Sequence, residues 1–340
     1  MREEVTFMNE QQPKKKRFKL FDTQREGKGI KKEDVLNLKP NLRGFFSYLR
    51  RDFSRLISIN IFLVLGNFPL IFALLAFSGV GNVSYSAPSD ALLSTLQGVA
   101  ANEGMSLADA SLFNVAGMHL TVHAPTTVTY VLYALTALVV FTFGFVSVGT
   151  TYQMRNMLKG EPVFLFEDFR YAIKRNWKQG FLMGILDVLF LFLLAGDLVI
   201  LFTNSANSFA GILLGVIFVF FVLYLFMRPY LYLQLITFDL KIFKIFKNSL
   251  IFAILGIKRN LMALLGSLLL VIIVFCMMFG LYGALIPVGL ALGIAVLPAL
   301  IGYMNVYAAY FKIKEVMIDP YYKEEENPDD DIKPIAIDRG

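Results

Sequence analysis

Long, unbroken apolar runs decide what this chain can fold into. They are LISINIFLVLGNFPLIFALLAF (56–77), TYVLYALTALVVFTFGFVSVG (129–149), GFLMGILDVLFLFLLAGDLVILF (180–202), FAGILLGVIFVFFVLYLFM (209–227) and the 51 residues 261–311. A helix needs about 20 residues, at a rise of about 1.5 Å each, to cross bilayer hydrocarbon. The last run is long enough for two crossings, and YGALIPVG inside it supplies the Gly and Pro of a tight turn. The runs are continuous instead of alternating, which points to helices and not to a barrel. The expected fold is an all-α integral membrane protein with six transmembrane helices.

Charge gives an independent test. Of 32 Lys and Arg, 15 lie in residues 1–55, six in 155–178, six in 228–259 and five in 312–339. None falls inside a run or in the connections 80–125, 203–208 and 283–287, which share one side in a six-span chain. Basic loops stay cytoplasmic, so both termini are expected inside and the protein is expected in a bacterial plasma membrane. The net charge of +6 is then mainly a topological signal, and nucleic acid is a poor partner for it. Three regions follow: a basic arm 1–45 with KKKRFK, a six-span domain 46–311 with the external segment 80–125, and an acidic tail 312–340 with EEENPDDD. Largely polar residues precede the first run, so no secretory signal is expected at this start. A lone Cys276 excludes an intramolecular disulfide and argues against a thiol metal site.

Two short cytoplasmic segments are amphipathic. In FEDFRYAIKRNWKQG (166–180), Phe166, Phe169, Ile173 and Trp177 form one stripe, with acids at the start and Lys174, Arg175 and Lys178 near the end. In DLKIFKIFKNSLIFAILG (239–256), Lys241, Lys244 and Lys247 recur among Ile and Phe. Each reads as a helix lying on the inner membrane surface, after spans two and four. IKRN follows in both cases, at 173–176 and 257–260. The order of span, surface helix, basic corner and span therefore occurs twice in the same orientation, the pattern of a parallel internal repeat. Basic residues are expected at inner corners without any duplication, so that alternative stays open.

The stretch VGTTYQMRNMLKGEPVFLFEDFRYAIKRNWKQG (148–180) resembles the signature of the YesV-like family of bacterial multi-span membrane proteins, a domain of unknown function. The matching residues are Gly149, Arg155, Asn156, Gly160, Glu161, Asp168, Phe169, Asn176, Lys178 and Gln179. The resemblance implies a multi-span body and an association with carbohydrate-uptake loci beside ABC importers of sugars and oligosaccharides. It brings no catalytic or binding residues with it.

Inside the runs, the polar residues are the candidates for function. Asp187 and Asp197 lie in the third, about 80° apart around a helix, so one cavity could see both. A carboxylate at the bilayer centre costs about 2.5–3.5 kcal/mol on insertion scales. Either the pair lines a polar path, or each is satisfied near an interface or by a neighbouring helix, with Arg228 the natural partner of Asp187. Asn60 and Asn67 share a face of the first span, as helix-to-helix hydrogen bonding requires. Gly144, Ser147 and Thr151 are small residues suited to close packing in the second. His119 and His123 are spaced for a helical metal pair, but Thr and Val between them favour strand, and no metal or other cofactor is expected. There is no GxxxxGK[ST] phosphate loop and no Ser/His/Asp set able to meet on one side, so an enzyme is not expected. The leading function is an accessory role in carbohydrate uptake, with ABC transporter subunits as partners. A secondary transporter or channel-like permease using intramembrane Asp, and a membrane scaffold or sensor, are the alternatives.

Topology is directly measurable. In a background lacking Cys276, a cysteine at Ser94 should react with an impermeant maleimide from outside the cell, and one at Lys323 only after permeabilisation. The reverse pattern would overturn the orientation.

Overall fold

The computed structural model describes residues 40–88, 91–109, 111, 119–204, 208–280 and 285–320. The basic arm to residue 39, Ser89 and Asp90, and the acidic tail from 321 lie outside the described residues. Helix α1 (Leu42–Gly66) starts at Asn41, whose side chain accepts from Gly44 N at 2.8 Å. It stops at Asn67, and Pro69 opens α2 (Pro69–Phe77), where its missing N–H costs nothing. The two helices meet at 67°. A strand β1 (Asn82–Pro88), helix α3 (Ala91–Asn102) and strand β2 (His119–Pro125) follow. The strands pair antiparallel, from Asn82 opposite Pro125 to Pro88 opposite His119. Thus the segment between the first two apolar runs is not purely helical. In a strand, His119 and His123 stand about 13 Å apart along the backbone, too far for one metal ion.

Helix α4 (Thr127–Thr136) begins with a capping box in which Thr126 and Thr129 satisfy each other's backbone. It continues into α5 (Val139–Lys159), which ends at Gly160 with a left-handed φ of 78°. Then come α6 (Leu165–Arg175), α7 (Trp177–Thr203), α8 (Ser208–Thr237), α9 (Ile242–Leu255), α10 (Ile257–Phe279), α11 (Ile286–Ala295) and α12 (Leu297–Ile313). Four stretches are long and apolar enough to cross a membrane: Thr127–Lys159, Trp177–Thr203, Ser208–Thr237 and Ile257–Phe279. The number rises to six if the α1–α2 pair and the 46° bent pair Ile286–Ala295 with Leu297–Ile318 each make one crossing.

The core is concentrated at the end of the bundle that carries Lys and Arg. Buried residues of α8 begin at Tyr224 and run to Ile236, and those of α7 stop at Asp187. Beyond them the same helices expose Phe192, Val199, Phe202, Phe209 and Ile212. Lipid tails solvate such surfaces as well as another helix would, so there is no hydrophobic penalty for leaving them unpacked in a bilayer. Polar side chains and close backbone contact must hold the helices instead. Gly144 of α5 faces Gly180 and Gly184 of α7, and a Cβ at Gly144 would collide with the Gly180 carbonyl and the Gly184 Cα.

Helices α6 and α9 divide their apolar residues between two environments. In α6, Phe169 turns inward against Gly149 and stacks on Phe62 at 4.6 Å, and Ala172 is buried. Phe166 and Trp177 remain exposed, so the four-residue stripe drawn from the sequence does not share one environment. In α9, Ile245, Ser249, Phe252 and Ala253 are buried while Phe243, Ile251 and Ile254 are exposed. The two IKRN copies sit differently about their helix breaks. The first break falls on Asn176 at the end of the tetrapeptide, the second on Gly256 just before it. Both asparagines nonetheless reach back to an alanine carbonyl of the preceding surface helix: Asn176 Nδ2 to Ala172 O and Asn260 Nδ2 to Ala253 O, each at 3.0 Å.

Gly144→Leu should force α5 and α7 apart, destabilising the protein by about 1–3 kcal/mol as overpacking does. Gly215→Ala, where nothing lies within 4 Å, should be neutral or slightly stabilising. Melting in mild detergent compares them.

Candidate functional site

The most elaborate polar site is built on Asp187, which has no solvent exposure. Its Oδ1 accepts from Tyr224 Oη at 2.8 Å and Arg228 Nε at 2.9 Å; its Oδ2 accepts from Tyr232 Oη at 2.7 Å and Arg228 Nη2 at 3.1 Å. Tyr224, Arg228 and Tyr232 are four residues apart, so α8 presents them as one stripe to a single carboxylate on α7. The guanidinium carbon lies 5.3 Å above the Phe143 ring of α5, and the Ser147 hydroxyl also meets that of Tyr232. Three helices are thus joined at one ion pair. A carboxylate with two charge-assisted bonds from arginine and two from tyrosine has its lone pairs filled. The arrangement is suited to holding α5, α7 and α8 together.

A second set repeats this chemistry on α1. Asp52, also without exposure, accepts from Arg51 Nε and Nη2 at 2.8 Å each and from Tyr303 Oη of α12 at 2.7 Å. Arg51 Nη2 also donates to Met157 O at the end of α5, at 2.5 Å, and lies 5.0 Å over the Tyr48 ring. Sequence reasoning missed this set because RRDFSR reads as an ordinary basic flank. A signal was present: Asp52 is the single acid in residues 42–66. For the first set the signal was the four-residue spacing of Tyr224, Arg228 and Tyr232.

Asp197 does not join Asp187. It is exposed near the far end of α7 and has no hydrogen bond or ion pair among the described residues. Asn60 fills the bend before α12, donating to Ile294 O at 2.5 Å and accepting from Ala299 N at 2.9 Å. Among the described residues the Asn67 side chain bonds only to Leu63 O, at the end of the helix it caps.

The signature residues of 148–180 are spread over the α5–α6–α7 corner, each with a local task. Gly149 leaves room for the Phe169 ring. Arg155 Nη1 donates to Ile236 O and Thr237 Oγ1 at the end of α8, at 3.2 and 3.3 Å, where the helix dipole is negative. Its other nitrogens bond to Asn156 Oδ1, and its guanidinium carbon lies 4.6 Å over the Tyr152 ring. Gly160 supplies the left-handed cap, and the next amide, Glu161 N, bonds back to Asn156 O at 2.9 Å. The Glu161 carboxylate meets only the exposed Lys159, at 3.5 Å. Asp168 Oδ2 accepts from Phe164 N at 2.9 Å, fastening the start of α6. Partial burial pushes this carboxyl up from the ordinary range, against the lowering effect of that bond. Asn176 makes the α6–α7 break, Lys178 lies 5.5 Å over Trp177, and Gln179 donates to Leu240 O at 3.2 Å.

A cavity of about 400 Å³ opens beside this corner, lined by Arg175, Asn176, Lys178, Gln179, Thr237 and Asp239 among others. No group of three or more His, Cys, Asp or Glu able to hold a metal ion occurs among the described residues.

Residues 112–198 match a family model described as protein of unknown function, DUF624. The match takes in the signature residues and Asp187, but not Arg228 or the Asp52 set. No curated protein and no solved structure matches the chain.

Asp187→Asn should cost about 1–3 kcal/mol, because the half-buried Arg228 loses its counter-charge and the buried Tyr224 and Tyr232 hydroxyls lose a charged acceptor. The double change Asp187→Asn with Arg228→Gln should recover much of that loss. Detergent melting of all four members of the cycle gives the coupling; additive losses would show that the pair is not a unit.

Proposed function

We propose that the protein is a non-catalytic accessory component of sugar or oligosaccharide uptake, working beside an ABC importer in the bacterial plasma membrane with both termini cytoplasmic. The uptake context rests on the resemblance of 148–180 to the YesV-like family. The accessory role rests on one structural observation: the buried acids Asp187 and Asp52 are each enclosed by arginine and tyrosine donors. A transporter built on Asp187 would need that carboxylate to change partners during each cycle, and Tyr224, Arg228 and Tyr232 hold it from two sides. The polar residues inside the bundle therefore serve its shape. What the bundle offers a partner is its basic end, where the signature corner carries the exposed Trp177 and the cavity beside it.

Affinity purification of the full chain from its own host, in mild detergent, tests the reading. An importer's membrane subunits and ATPase should co-purify, and Trp177→Ala should weaken their recovery without lowering the melting temperature. Uptake by the purified protein alone in liposomes, abolished in a stably folded Asp187→Asn variant, would overturn it in favour of a transporter.

A further inference from the structure

At the basic end of the bundle, the first turns of α1 and α10 and the last turns of α12 line a half-open cavity of about 560 Å³. This lies within the range of about 300–1,000 Å³ usual for small-ligand sites. Its floor is apolar, formed by Phe45, Ala263, Met304, Tyr307, Ala308 and Phe311. Its mouth carries three cations: Arg43, Lys258 and Arg259. No acidic residue lines it. Arg259 is paired with Glu315 at 3.0 Å, whereas Arg43 and Lys258 are exposed and have no ion pair among the described residues. Two of the three walls meet the mouth as helix N-termini, of which the one at α1 is already capped by Asn41.

An apolar chamber under a cationic mouth fits a molecule that is apolar at one end and anionic at the other. Basic pockets between helices at the inner membrane surface hold anionic lipid headgroups by this combination. We infer that this cavity is a binding site for an anionic phospholipid, with acyl chain against Phe45, Ala263 and Tyr307 and its phosphate between Arg43 and Lys258. The site shares no residue with the Asp187 and Asp52 sets or the signature corner, but its Phe45 and Tyr307 rings pack on Tyr303 and Tyr48 of the Asp52 set. It does not depend on the uptake reading.

The full chain, reconstituted in phosphatidylcholine nanodiscs, would be titrated with phosphatidylglycerol and its melting temperature followed. A saturable rise is expected at a low mole fraction of phosphatidylglycerol. Arg43→Gln with Lys258→Gln should raise the half-saturating fraction about 25-fold, since each cation near an anionic surface is worth about a factor of five. Lys174→Gln with Lys247→Gln, which removes the same charge elsewhere, should leave it unchanged. Ala263→Leu, which fills the cavity and keeps every charge, should also abolish saturation, and unchanged saturation in this variant would overturn the site. Glycerol phosphate, a headgroup without chains, should have no effect. Equal responses in both charge-removal variants would reduce the effect to general surface attraction and overturn the site. So would an effect of glycerol phosphate equal to that of the lipid. A saturable rise seen only after truncation at residue 320 would show that the acidic tail fills the mouth instead, and would also overturn it.

Discussion

A carboxylate removed from water must have its charge matched and its lone pairs occupied, or it will not stay ionised. Asp187 meets that condition through α8 alone, which brings one arginine and two tyrosines to it along a four-residue stripe. The position of α8 relative to α7 is thereby fixed to within hydrogen-bond tolerance, both along the axis and around it. Hydrophobic contact could not do this, since one apolar helix face in lipid is nearly equivalent to another. Once α7 and α8 are in register, Gly144 can approach Gly180 and Gly184, and α5 closes over Arg228 through Phe143.

The same logic accounts for where the core lies. Lipid removes the usual reward for burying apolar area, so packing density follows the polar networks and the close glycine contacts. Asp187, Asp52 and Arg155 all sit toward the basic end, and the fully buried large side chains, such as Tyr230, Tyr303, Met154 and Met183, gather around them. Asn60 belongs to this group in another way. Its amide serves the unpaired backbone groups at the α11–α12 bend, which would otherwise be orphaned inside the bundle.

The signature 148–180 takes on a physical meaning from this arrangement. Arg155 closes the end of α8, Gly160 turns the chain, Asp168 starts α6, Asn176 breaks it and Gln179 ties α7 to the segment after α8. These tasks all concern the path of the backbone through one corner. A sequence pattern that fixes a corner needs none of its residues to touch a substrate.

The membrane class and the places of the apolar helices were determined by the sequence itself, because hydropathy and charge are summed along contiguous residues and need no knowledge of neighbours. The amphipathic segments before both IKRN copies were legible for the same reason. Tertiary structure alone decided the rest. Whether Asp187 opened on a path or closed on a partner depended on what α8 put opposite it, 37 to 45 residues away in the chain. Asp52 looked like part of a basic flank until Tyr303, 251 residues away, reached it. Phe169 left its predicted surface stripe because Gly149 opened a slot for its ring, and the strand tendency legible at HLTVH became a strand only by pairing 119–125 with 82–88. A carboxylate's surroundings are a property of several helices at once, and a sequence states them only one helix at a time.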